Sequence, residues 1–145
     1  MRFMMIIKAN EATEAGQLPD EKALAAMAKY NQQLVDAGIL LDAAGLQASS
    51  KGARVKFSDG RPTVLDGPFA EAKELIAGYW IIQVKSRQEA LEWARRVPFN
   101  TDLPHGGEGE IELRQMFDME DFEPGPAVEH HKEMVKQVER QKAGK

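Results

Sequence analysis

Residues 2–8 read Arg-Phe-Met-Met-Ile-Ile-Lys, and this short run constrains the fold more than any other stretch of the chain. Side chains on a strand alternate, so Phe3, Met5 and Ile7 point one way and Met4 and Ile6 the other. Both faces are apolar, which predicts a central strand covered on both sides. The rest of the chain must supply the neighbouring strands and the cover.

Asp20 is positioned to cap a helix that runs to about Ala37, because its carboxylate can accept orphan backbone N–H groups at the helix start. Leu24, Met27, Tyr30, Leu34 and Ala37 form the predicted inward stripe, and Gly38 stands where a left-handed residue ends the helix. A second strand is expected over 39–48, interrupted near Gly45. Residues 53–58 alternate, with Val55 and Phe57 opposed to Arg54, Lys56 and Ser58, which predicts a half-buried strand. Asp59-Gly60 is a tight-turn pair, so Thr63 to Leu65 should return antiparallel as a hairpin.

A strand follows from about Ile76 to Val84. Ser86 and Glu89 have the spacing of a capping box, opening a helix to about Arg96 with Ala90, Leu91, Ala94 and Val97 inward. Pro98 ends it. Asn100 to Gly109 reads as a loop, and Glu110 to Phe117 as a last strand with Ile111, Leu113 and Phe117 on one face.

The order strand, helix, strands, helix, strand predicts an α+β fold: a ferredoxin-like split βαβ plan with an inserted hairpin. Two helices cover one face of such a sheet. A second copy of the chain is the economical cover for the other, so a homodimer is expected. The domain is expected over residues 1–118. Residues 119–145 form a tail whose helical part starts near Pro126, with a thin stripe of Val128, His131, Val135 and Val138.

Composition narrows the chemistry. There is no cysteine among the 145 residues, which removes disulfides, thiolate metal sites and cysteine nucleophiles, and fits a cytoplasmic protein. The net charge of −4 opposes direct nucleic-acid binding. No apolar run approaches the roughly 18 residues of a membrane span. No glycine-rich phosphate loop, nucleophile elbow or ordered metal-ligand spacing is present, so no cofactor and no metal are expected.

The densest polar cluster is Asp66-Gly67-Pro68-Phe69-Ala70-Glu71-Ala72-Lys73-Glu74. Gly67-Pro68 fixes a turn, and Phe69 is the expected anchor to the core. Asp66, Glu71, Lys73 and Glu74 are thereby held on a constrained backbone, the kind of rigid loop that carries sites. The alternative is a well-made turn with a surface ion pair.

This segment, with Leu65 before it and Ile76-Ala77-Gly78-Tyr79 after it, resembles the signature of the DGPF family of YCII-related proteins. Asp36-Ala37-Gly38-Ile39-Leu40, Gly45-Leu46, Gln88 to Ala94, Pro98 and Ile111 to Arg114 agree in order, so the resemblance covers about residues 1–118. The family usually has Thr where this chain has Ala72. The resemblance implies a dimeric α/β-barrel fold with a cleft near the motif, and a regulatory association, since relatives occur beside extracytoplasmic-function sigma factors. Other YCII-related proteins include dehydrochlorinase-type enzymes, with a His–Asp pair proposed as catalytic. Here the matching stretch of the first helix reads Ala25-Ala26-Met27 and holds no His.

Three further residues merit weighing. His105 lies in the loop after the second helix and could titrate over a cleft. Tyr30 is either core or cleft lining. Arg114, opposite in face to Ile111 and Leu113, could pair with a motif carboxylate or meet an anionic ligand.

Two functions therefore compete. One is a homodimeric binding protein for a small molecule or a regulatory partner, sited on Asp66, Phe69, Glu71, Lys73 and Glu74. The other is an enzyme of proton transfer, isomerisation or elimination with Asp66 or Glu71 as base, helped by His105. The second requires a carboxylate in an apolar pocket with a raised pKa.

Overall fold

The first strand, β1, spans Arg2–Lys8 and lies inside a four-stranded sheet, as its apolar run demands. The structure, a computed structural model, describes residues 1–99 and 109–145. After β1 come α1 (Glu11–Glu14), α2 (Glu21–Asp36), β2 (Leu40–Gly45), β3 (Ala53–Ser58), β4 (Arg61–Asp66), β5 (Ile76–Gln83), α3 (Arg87–Arg95), β6 (Ile111–Gln115) and α4 (Pro126–Ala143). Single 3-10 turns occupy Ser49–Lys51, Ala72–Glu74 and Met119–Asp121. The sheet order is β2-β5-β1-β6, and every neighbouring pair is antiparallel. Strands β3 and β4 form a separate two-stranded sheet.

Helix signals act locally, and most hold. The Asp20 carboxylate accepts the Ala23 N–H at 2.8 Å, and Gly38 takes φ +73° after the helix. Ser86 Oγ accepts the Glu89 N–H at 3.1 Å, but the Glu89 carboxylate reaches the Lys85 N–H at 3.0 Å instead of the Ser86 N–H, so the expected capping box closes one residue early. The short helix α1 has no counterpart in the sequence reading. Asn10 and Thr13 build it by exchanging side-chain and backbone hydrogen bonds.

The core forms on one sheet face only. Phe3 and Met5 of β1 and Trp80 and Ile82 of β5 meet Tyr30 and Leu34 of α2 and Ala90 of α3, with Ile39, Val84 and Val97 closing the edges. Tyr30 stands edge-on to Trp80 at 5.4 Å and to Trp93 at 6.4 Å, geometry that favours aromatic pairs. The Tyr30 hydroxyl donates to the Trp93 carbonyl at 2.8 Å, and the Trp80 indole N–H to Asn31 Oδ1 at 2.7 Å, so both polar tips are satisfied.

Several burial expectations need correction. β1 is covered on one side: Met4 and Ile6, with Tyr79 and Ile81 beside them in register, stay half-exposed on the other. Leu24 and Ala37 fall outside the buried stripe, and Phe117 lies past the end of β6, exposed. The hairpin pairs as expected, Val55 with Val64 and Phe57 with Pro62, but all twelve of its strand residues are exposed rather than half-buried. Helix α4 starts at Pro126 as expected and buries none of its residues.

Candidate functional site

The loop between β4 and β5 sits at one end of the sheet. Leu75, its last residue, accepts the Ala9 N–H at 2.9 Å, and Ile76 pairs with Lys8. The segment from Leu46 to Gly52 lies at the same end, joined by the Leu46 N–H to the Ala77 carbonyl at 2.8 Å.

Three contacts hold the loop backbone. The Gly67 N–H donates to the Gly52 carbonyl at 3.0 Å, and the Phe69 N–H donates to Ser49 Oγ at 3.0 Å. Ser49 is itself gripped by Glu14, whose carboxylate accepts both the Ser49 N–H at 3.1 Å and the Ser49 hydroxyl. Helix α1 thus exists to carry Glu14 to the loop. Gly67 lies so close to this turn that a Cβ there would come within 1.8 Å of the Ser49 carbonyl oxygen, which only glycine permits. Phe69 is half-buried, with the Arg54 guanidinium 3.9 Å above its ring, a cation–π contact from the hairpin.

The polar side chains of the loop behave differently from its backbone. Asp66 and Lys73 are exposed, and neither side chain has a hydrogen bond or ion pair among the described residues. Among the described residues the Arg54 side chain has the Phe69 ring as its one partner. Glu71 takes φ +62°, a left-handed conformation costly for a residue with a Cβ. The hydrogen bond shared with Glu74, and then the charge of Glu74, hold Glu71 above the ordinary carboxylate range. Burial is the smallest cause, because both carboxyl groups face solvent.

The structure therefore brings together Asp66, Phe69, Glu71, Lys73 and Glu74, and adds Glu14, Ser49 and Arg54. It separates the other candidates. Tyr30 is 3% exposed, and burial pushes its hydroxyl pKa up to about 12, which suits a core residue. Arg114 pairs in register with Met4, four residues along β1 from Lys8, so it sits about 13 Å from the loop end of the sheet. Its partner is Glu112, at 3.3 Å on the same strand. His105 lies outside the described residues. Among the described residues no group of acidic or histidine side chains could hold a metal, and no helix is long and apolar enough to cross a membrane.

No local signal in the sequence marks Glu14 or Ser49, since 35 residues separate them and only the sheet edge brings them together. The one clue was the Asn10-x-x-Thr13 cap spacing, which foretells a short helix ahead of Pro19.

A family model described as the YCII-related domain matches residues 1–120. The chain is also 37% identical over 76 residues to an uncharacterised protein of Rhizobium meliloti (strain 1021), an aligned stretch covering 52% of this chain and 61% of that protein. The match thus spans less than two thirds of that relative.

Proposed function

The chain belongs to the YCII-related domain family, and from that premise we propose that it is a homodimeric protein that binds a small molecule at the Asp66–Glu74 loop. One observation carries the reading. The loop backbone is locked by Ser49, Glu14 and Gly52, while the side chains of Asp66 and Lys73 stand beside it with no partner among the described residues. A purely structural turn would use those charges, whereas preorganised but unspent polar groups are what a ligand site needs. In this reading Asp66 accepts hydrogen bonds from the ligand, Lys73 supplies a point charge, and Phe69 with Arg54 forms a flat wall.

The sheet order supports a ferredoxin-like plan with the β3–β4 hairpin inserted. The half-exposed row of Met4, Ile6, Tyr79 and Ile81 supports dimerisation through that face, in the manner of a dimeric α/β barrel. The regulatory association with sigma-factor systems rests on the resemblance of the motif alone. Proton-transfer chemistry has one point in its favour, the raised pKa of Glu71. Its cause is Glu74 rather than an apolar pocket, so binding is the better-supported reading.

A thermal-shift screen of the purified protein against small acids, phenols and lactones tests the proposal, with Asp66→Asn in parallel. A ligand at 100 times its Kd adds about 2.7 kcal/mol of stability. A rise in melting temperature for the wild type that is lost in a folded Asp66→Asn variant is expected. A rise that persists in the variant places the ligand elsewhere.

A further inference from the structure

The β3–β4 hairpin is exposed along the whole of both strands. Each strand packs substantially only against the other, and an isolated two-stranded hairpin is marginal in water. Its two faces differ in kind. Val55, Phe57, Pro62 and Val64 share one face by register, with Phe57 72% and Val64 63% exposed. Arg54, Lys56 and Arg61 lie on the other. From Lys51 to Leu65 there are four cations and a single carboxylate, Asp59.

A second unsupported surface has the opposite charge. From Gln115 to Glu123 the chain carries four carboxylates, Asp118, Glu120, Asp121 and Glu123, and no cation. Its aromatic rings, Phe117 and Phe122, meet at 5.2 Å with their planes tilted 42° apart, and both are exposed, Phe117 at 71% and Phe122 at 45%. Beside them a depression of about 320 Å³, lined by Gln115, Met116, Phe117 and Asp121, has room for an aromatic side chain.

The two surfaces belong to opposite ends of the sheet. The hairpin feeds the loop that meets Lys8, whereas the acidic segment is tied to the start of β1 by the Arg2–Asp118 ion pair at 3.2 Å and the Met116 N–H to the Arg2 carbonyl at 2.9 Å. Seven residues of β1, about 20 Å, lie between. A twofold axis that carried the hairpin of each copy to the acidic segment of the other would make two equivalent contacts and so close the assembly.

We propose that the hairpin is an arm that docks on the Gln115–Glu123 segment of a second copy. Phe57 and its apolar neighbours cover Phe117 and Phe122. Arg54, Lys56 and Arg61, one ribbon thickness behind, act on Glu120 and Glu123 within a Debye length. This inference rests on the homodimer reading but does not need the sheet faces to form the interface.

Sedimentation velocity over a concentration series tests it, with three variants checked for folding by circular dichroism: Lys56→Glu/Arg61→Glu, Glu120→Lys/Glu123→Lys, and the four changes combined. Each pair of reversals should raise the dimer Kd about tenfold or more, and the combination should restore it. Raising the salt concentration should weaken the dimers of the wild type and of the combined variant, whose charges are complementary, and should not weaken those of the two single-pair reversals. A dimer indifferent to both pairs, yet broken by Ile81→Glu, overturns the arm and leaves the homodimer reading intact. A monomeric wild type overturns both. An unchanged dimer whose wild type binds heparin through Lys56 and Arg61 overturns the proposal by giving the hairpin to a polyanion.

Discussion

Ser49 Oγ accepts the backbone N–H of Phe69 at 3.0 Å while its own hydroxyl and N–H are held by Glu14. Ser49→Ala therefore removes two hydrogen bonds, the Phe69 N–H to Oγ and the Ser49 hydroxyl to the Glu14 carboxylate, and keeps the Ser49 N–H to Glu14. The expected cost is about 1–2 kcal/mol, seen as a melting temperature lower by several degrees. Glu14→Ala should cost a similar amount. An unchanged melting temperature in both would mean that the loop is held by something else.

Gly67 and Gly45 make a paired prediction. A methyl group at Gly67 meets the Ser49 carbonyl oxygen at 1.8 Å, whereas one at Gly45 meets nothing within 4 Å. Gly67→Ala should cost about 1–3 kcal/mol by forcing backbone to move, and Gly45→Ala should be tolerated. Denaturant unfolding of the two variants checks the difference, and equal stabilities would contradict the close approach.

Glu71 gives a pH dependence with a definite sign. Its folded pKa is raised above the ordinary 4.5 by Glu74. The folded state then holds more protons than the unfolded state in the interval above 4.5, so this pair costs stability as pH rises through that interval. Its unfavourable contribution is absent below 4.5 and fully present above the folded value. Glu74→Gln removes the second charge. Melting temperatures measured from acid to neutral pH should therefore show the variant gaining on the wild type as pH rises. A constant difference would contradict the pairing. Glu71→Gly should also stabilise, by about 1 kcal/mol, because it relieves the left-handed strain.

Tyr30 is expected to act through the core alone. Tyr30→Phe removes one of the two donors to the Trp93 carbonyl, which keeps the Arg96 N–H, and should cost about 0.5–1.5 kcal/mol with no effect on ligand binding. Its hydroxyl, raised to about 12 by burial, keeps its proton where the unfolded chain loses it near 10, so stability should fall as pH rises from 10 towards 12. A spectrophotometric titration with an ordinary tyrosine midpoint for both Tyr30 and the half-exposed Tyr79, whose own value Asp42 raises, would contradict this.

What the sequence revealed was chiefly what neighbouring residues decide. The Asp20 cap, Gly38, the Asp59-Gly60 turn and Pro126 each act within one turn of backbone, and each sits where its chemistry predicts. Alternation told which residues of β1 and β3 share a face, but not whether anything covers that face. That is why Met4, Ile6, Val55 and Phe57 read as buried and are not. The loop was recognisable as rigid from Gly67-Pro68 and Phe69. Its clamp was not, because Glu14, Ser49 and Phe69 meet only once β1, β2 and β5 are in register. Tyr30 and Arg114 failed to join the site for the same reason: spacing assigns a face, while the end of the sheet is set by pairing.

The central claim is that the loop has a fixed backbone and idle charges, and the stability of Asp66→Asn tests it most directly. Asp66 has no side-chain partner to lose among the described residues, so the variant should melt within about 1 °C of the wild type, a change below the roughly 0.5 kcal/mol typical of surface sites. Ser49→Ala should melt well below both. A variant Asp66→Asn as destabilised as Ser49→Ala would show that the carboxylate holds the fold together, and the loop would then be a structural turn rather than a binding site.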